Sequence, residues 1–247
     1  MKRFLVILII VALAVGAFFY FTRPIAVPTN GVQSTTESLA LTPDEATGAA
    51  IYHISQDESS VSFSAHETLA GAPNTAVGTT HQIAADIAIV QHADSAPIIK
   101  ISPVKIDART FVTDSTQRDG AINRFILKTE TPGNEYITFV PRTVHGPTSI
   151  TQGQEFQVTI EGDMTISGVT KPETLTALFT QNGDRLNGTV QGTIKRSDFG
   201  LTIPSIPFVA DVSDEIPVSA TCIAHADSSS HVPPRAPQSS TGKPVLE

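Results

Sequence analysis

Apolar and polar residues alternate without a break from Phe156 to Ile166. Phe156, Val158, Ile160, Gly162, Met164 and Ile166 occupy one phase; Gln157, Thr159, Glu161, Asp163 and Thr165 occupy the other. A period of two predicts a strand with one buried and one wet face. The run stops at Ser167-Gly168-Val169-Thr170-Lys171-Pro172. Gly168 tolerates positive φ and Pro172 has no amide hydrogen to give a ladder, so a turn is predicted. Leu175, Ala177 and Phe179 resume the alternation, which makes the stretch a long antiparallel hairpin.

Similar patterns recur on both sides of it. Ile51–Ile54 is a short strand, and Val61, Phe63 and Ala65 alternate with serines. Val77, Thr79, His81, Ile83, Ala85, Ile87 and Ile89 form one long phase. Ile98–Ile106 is strand-like, but Pro103 interrupts it and the apolar phase slips there, which predicts a bulge or a sheet corner. Ile137 and Phe139 share a face; Leu186, Gly188, Val190, Gly192 and Ile194 alternate; Ile216, Val218, Ala220, Cys222 and Ala224 close the series. One segment breaks the pattern. Asp114 or Ser115 can cap a helix within Thr116–Lys128, where Ile122, Phe125 and Ile126 stand at i, i+3, i+4. The expectation is an all-β chain of about eight antiparallel strands with one short helix. Such strands stack as a sandwich or close into a barrel. The inward phases carry Gly162, Gly188, Gly192, Ala85, Ala177, Ala220 and Ala224. These small residues either leave room for one apolar ligand inside a barrel or mark bends in a filled core.

The ends of the chain are built differently. Lys2 and Arg3 precede Phe4–Phe21, eighteen residues without a charge. As a helix these reach roughly 27 Å, near the hydrocarbon thickness of a bilayer. Residues 1–22 are therefore read as a single-pass anchor in the cell membrane, with the domain on the extracytoplasmic side; a cleaved signal peptide is the competing reading. Residues 23–50, rich in Pro, Thr, Ser and Ala, are read as a flexible linker, with a short helix around Pro43–Thr47. Residues 228–247 are read as a disordered tail. The net charge of −8 argues against a nucleic-acid partner. With Cys222 the sole cysteine, an intramolecular disulfide is impossible.

Six local patterns together resemble the YceI-like family of lipocalin-like, polyisoprenoid-binding proteins. They are Ser59-Ser60-Val61-Ser62-Phe63, Arg118-Asp119 before the helix, Tyr136-Ile137-Thr138-Phe139, Glu161 through Pro172, Arg196-Ser197-Asp198-Phe199-Gly200-Leu201, and Asp214-Glu215-Ile216-Pro217-Val218. Ser59 departs from the pattern, standing where the family usually has histidine. The resemblance covers about Ile51–Ala226. It implies a lipocalin-like antiparallel barrel over residues 51–227 whose cavity takes an isoprenoid lipid or a quinone. The residues expected to bind that ligand are Phe63, Val77, His81, Ile83, Ile101, Phe125, Phe139, Val158, Ile160, Phe179, Val190 and Arg196.

Reactive chemistry is weakly signalled. The seven histidines show no paired metal-ligand spacing, and no nucleophile, phosphate-loop or dinucleotide motif occurs. No catalytic residue, metal or cofactor is predicted. His81 is either a core histidine satisfied by a neighbouring backbone or hydroxyl group, or a contact to a ligand headgroup inside the cavity. Arg196 is either part of a structural Arg–carboxylate bridge or a headgroup anchor. Cys222 is read as a small apolar filler. The expected function is a binding module, a membrane-tethered barrel that sequesters or carries an isoprenoid-type amphiphile. The alternatives are a structural barrel with a filled core and, ranked last, a lipid-modifying enzyme.

Overall fold

The computed structural model describes residues 32–33, 39–92, 94–204 and 209–226. The expected anchor (1–22), much of the linker and the whole tail (228–247) lie outside the described residues. Among the described residues, no helix is long and apolar enough to cross a membrane. The α-helices α1 (Pro43–Gly48) and α2 (Thr116–Ala121) have six residues each, against about 20 for a span. The expected placement in the cell membrane, single-pass with the domain extracytoplasmic, is corrected on this finding.

Among the described residues, thirteen strand segments form one sheet. They are β1 (Ala49–Ile54), β2 (Ser60–Leu69), β3 (Ala72–Thr80), β4 (Ile83–Ala84), β5 (Asp86–His92), β6 (Ser95–Ile101), β7 (Val104–Asp107), β8 (Tyr136–His145), β9 (Glu155–Ile166), β10 (Val169–Asn182), β11 (Arg185–Lys195), β12 (Val209–Ala210) and β13 (Glu215–Ala226). All pairings are antiparallel, and the path runs β4-β7-β8-β9-β10-β11-β13-β1-β5-β6. Only Ala85 separates β4 from β5 in the chain, so the two ends of the path meet and the sheet closes into a barrel.

The segments fall into eight positions around that barrel. β1 and β2 lie end to end along β13, pairing with Ala224–Ala226 and Val218–Thr221 respectively. Ser59, fully buried, bridges their junction. Its hydroxyl donates to the Ile223 carbonyl (3.2 Å) and accepts from the Ile223 amide (3.0 Å). β3, β4 and β5 make one bent strand, and β6 and β7 another. Their bends coincide: Ala85 interrupts one strand where Ser102 and Pro103 interrupt the other, and Pro103 has no amide hydrogen to give the ladder. Ser102 repairs the break: its amide donates to the Asp86 carbonyl (2.9 Å), and its hydroxyl accepts from the Asp86 amide (2.8 Å).

The central hairpin forms as the alternation predicts, with Val169 paired to Ile166 and Phe179 to Phe156. Gly168 takes φ +77° in its turn. Ser115 caps α2, accepting from the Arg118 amide, and a π-helical turn follows at Ile122–Ile126. Its extra residue changes which side chains face inward. Ile122 and Leu127, joined by a backbone hydrogen bond, are buried, whereas Phe125 turns outward to 37% exposure. Within the stretch expected as linker, α1 carries a capping box between Thr42 and Glu45, and Lys100 Nζ donates to Glu45 Oε2 (2.7 Å).

Candidate functional site

The barrel is solid at one end and hollow toward the other. At the solid end Tyr52, Phe156, Val158, Leu186 and Ala224 pack together, each no more than 8% exposed. Polar groups close it. Tyr52 Oη donates to the Gly183 carbonyl (3.1 Å) and accepts from Gln181 Nε2 (2.6 Å), and Gln91 Nε2 donates to Gln181 Oε1 (3.2 Å). Above this plug lies a cavity of about 550 Å³ with predominantly aliphatic and aromatic walls. That volume falls in the range of ligand pockets, roughly 300–1,000 Å³.

Polar side chains gather at the far end of the cavity. Arg118 Nη2 donates to Glu67 Oε1 (3.1 Å), tying α2 to β2, and Arg118 also pairs with Asp114. Asp119 Oδ1 accepts from the Thr113 amide and hydroxyl (2.8 and 2.7 Å), which holds the segment before α2. Gln117, Arg118, Glu67 and Arg196 all line this end. Burial, reinforced by Asp198, raises the Glu173 carboxyl above its ordinary value on the neighbouring strand. An apolar tube with charge confined to one end suits an amphiphile entering tail first.

The YceI-like domain model matches residues 52–224. The chain belongs to the YceI-like family. Two solved structures share the fold of this YceI-like domain. A polyisoprenoid-binding domain from Saccharophagus degradans, implicated in plant cell wall breakdown, has a TM-score of 0.53 at 17% identity, covering 71% of this chain and 98% of its own. BcnA of Burkholderia cenocepacia has a TM-score of 0.51 at 19% identity, covering 69% of this chain and 98% of its own. Among curated proteins, none matches.

Eight of the twelve residues expected to bind ligand line the cavity of the YceI-like barrel: Phe63, Ile83, Ile101, Phe139, Ile160, Phe179, Val190 and Arg196. The other four are placed elsewhere. Val158 is fully buried in the solid end. Phe125 is turned out by the π-helical turn. Val77 is 48% exposed, because β3 buries its even phase, Ala76, Gly78 and Thr80, before the chain shifts phase between β3 and β4. His81 falls in that shift. It is exposed, so it belongs neither to the core nor to the cavity, and of the core-histidine reading only the backbone partner holds: its Nδ1 bonds the Ser59 carbonyl (2.7 Å).

Arg196 also serves the frame. Its guanidinium donates to three carbonyls: from Nε to Ser213 (3.1 Å), from Nη1 to Leu201 (3.1 Å) and from Nη2 to Val212 (3.4 Å). It thereby staples the segments that bring Leu201, Ile203 and Val212 to the cavity. These residues lie outside the alternating strands, so no period could nominate them. Arg196→Ala leaves three carbonyls without that donor and is expected to cost about 1–3 kcal/mol in thermal or urea melts.

Cys222 faces the cavity, and burial pushes its thiol up to about 11. Because the thiolate is the reactive form, iodoacetamide near neutral pH should modify the folded protein at least about 100-fold more slowly than the urea-unfolded chain. The raised value favours the native state below the thiol's ordinary value of 9.0. That contribution is lost as pH climbs from there toward about 11. Equal alkylation rates in the two states would contradict the placement. Among the described residues, no group of three or more His, Cys, Asp or Glu side chains is arranged to hold a metal.

Proposed function

We propose that this YceI-like domain sequesters or carries an isoprenoid-type amphiphile, a polyisoprenoid or quinone, in its barrel. The observation that carries this reading is the apolar cavity of about 550 Å³ with its charged groups at one end. A core that only held the fold together would close such a space, since folded interiors pack to crystal-like density and voids destabilise them. A prenyl chain fills it with favourable burial of about 0.8 kcal/mol per methylene-sized group. Little of that energy is ionic, so binding depends weakly on salt. Membership in a family with polyisoprenoid-binding relatives supports the same ligand class.

The test is direct. Purified protein is extracted with organic solvent and the extract is examined by mass spectrometry; a prenyl lipid or quinone in near-stoichiometric amount is expected. A lipid-free extract, combined with no uptake of added farnesol or a fatty alcohol, would rule the carrier reading out.

A further inference from the structure

We propose that the pair Phe179–Gly188 forms the floor of the cavity and sets the longest chain it accepts. This rests on the lipid-binding reading above. Side chains on a strand stand roughly perpendicular to the sheet, so an inward phenylalanine in a barrel normally projects toward the axis. Here the ring does not. Phe179 and Gly188 are direct cross-strand partners, and a Cβ built on Gly188 would land on Cδ1 and Cε1 of the Phe179 ring. The ring therefore lies flat along the wall, in the space that glycine leaves.

The same arrangement recurs higher in the barrel. Phe63 lies over its partner Gly78, and Leu175 over Gly192. The inward glycines are occupied space, and what they keep open is the cavity beyond the folded-down side chains. Gly162 differs from the others. A Cβ there would meet the Val140 backbone carbonyl at 2.5 Å as well as the Phe139 ring at 2.7 Å, so its role includes close backbone approach.

Register identifies Phe179–Gly188 as the floor. Phe179, Gly188 and Cys222 lie side by side across β10, β11 and β13, and Phe179 and Cys222 line the cavity. On these three strands the next row down, Gln181, Leu186 and Ala224, lines none of it, and only where that row continues onto β1 does Ile54 reach the cavity. Beside the Phe179 ring, in the same row, stands its partner on β9, Phe156, with centroids 6.0 Å apart and planes at 40°; it lines none of the cavity and belongs to the solid core. A methyl group at position 188 evicts the ring. The core beneath has no room for it, so it swings upward and shortens the cavity. Gly78→Ala should instead push Phe63 into the middle of the tube, level with Val218.

The experiment measures binding of geraniol, farnesol, geranylgeraniol and solanesol to the full chain and its variants. Gly188→Ala is expected to weaken the longest alcohol taken by wild type at least about tenfold, while the shortest binder changes by less than about twofold. Gly78→Ala should weaken all lengths alike. In the double variant Gly188→Ala/Phe179→Leu, a shorter side chain no longer competes with the new methyl, and long-chain binding should return. Should Gly188→Ala fail to fold, Phe179→Leu alone carries the test by lengthening the longest chain accepted. A uniform loss across lengths in Gly188→Ala, no change at all, or a double variant as impaired as the single one overturns the assignment. If wild type binds none of the alcohols, the lipid-binding reading itself falls and takes this inference with it.

Discussion

Ala220→Leu is expected to empty the barrel of lipid and leave it folded. Ala220 sits on β13 between Val190 of β11 and Val61 of β2, and all three line the cavity. Added methyl and methylene groups at this position enter space that an apolar ligand would otherwise take. They bury apolar surface in place of the ligand, so the ligand-free protein should melt no lower than wild type and gains up to about 2 kcal/mol. The same groups remove volume from the tube at a level every bound chain must pass. Lipid recovered by solvent extraction should fall at least about tenfold. The comparison that matters is between the two readouts. Undiminished lipid in Ala220→Leu means the chain lies elsewhere, and a collapsed fold means the site is packed rather than hollow.

The largest effect on stability is expected at Val158. This residue is fully buried in the solid end, among side chains that leave no route for water. An aspartate there must either bury a charge or take up a proton, and both cost several kcal/mol. Since a domain of this kind is stable by only about 5–15 kcal/mol, Val158→Asp should abolish the cooperative melt. Gln157→Asp places the same carboxylate one residue away on the exposed face of β9 and should cost no more than about 1 kcal/mol. Far-UV circular dichroism during heating distinguishes the two. Similar behaviour in both variants would mean that the alternation of β9 does not divide core from solvent.

The central hairpin was legible because its residues obey one period over its whole length. A strand that buries one face has no freedom in how it arranges apolar and polar residues. The same rule nominated Phe63, Ile83, Ile101, Phe139, Ile160, Phe179 and Val190 for the cavity wall. It failed where the period changes. The chain shifts phase between Thr80 and Ile83, so Val77 and His81 fell on the wrong side, and the π-helical turn reversed the expectation for Phe125. Neither event leaves a mark in the alternation of the residues before it.

The pattern of apolar positions, then, determined the strands, the corner at Pro103 and the hairpin turn at Gly168, because each depends on neighbours in the chain. Local motifs pointed to the YceI-like family. Only the tertiary structure decided which inward residues border empty space. Val158 and Ile160 share a strand face and differ only in their height along the barrel, where one meets the plug and the other the cavity. The inward glycines could not be read from sequence for the same reason. A missing side chain leaves a hole or a resting place for a ring according to what stands across the strand. Phe179 comes to lie on Gly188 only through a pairing made after the chain has folded back on itself.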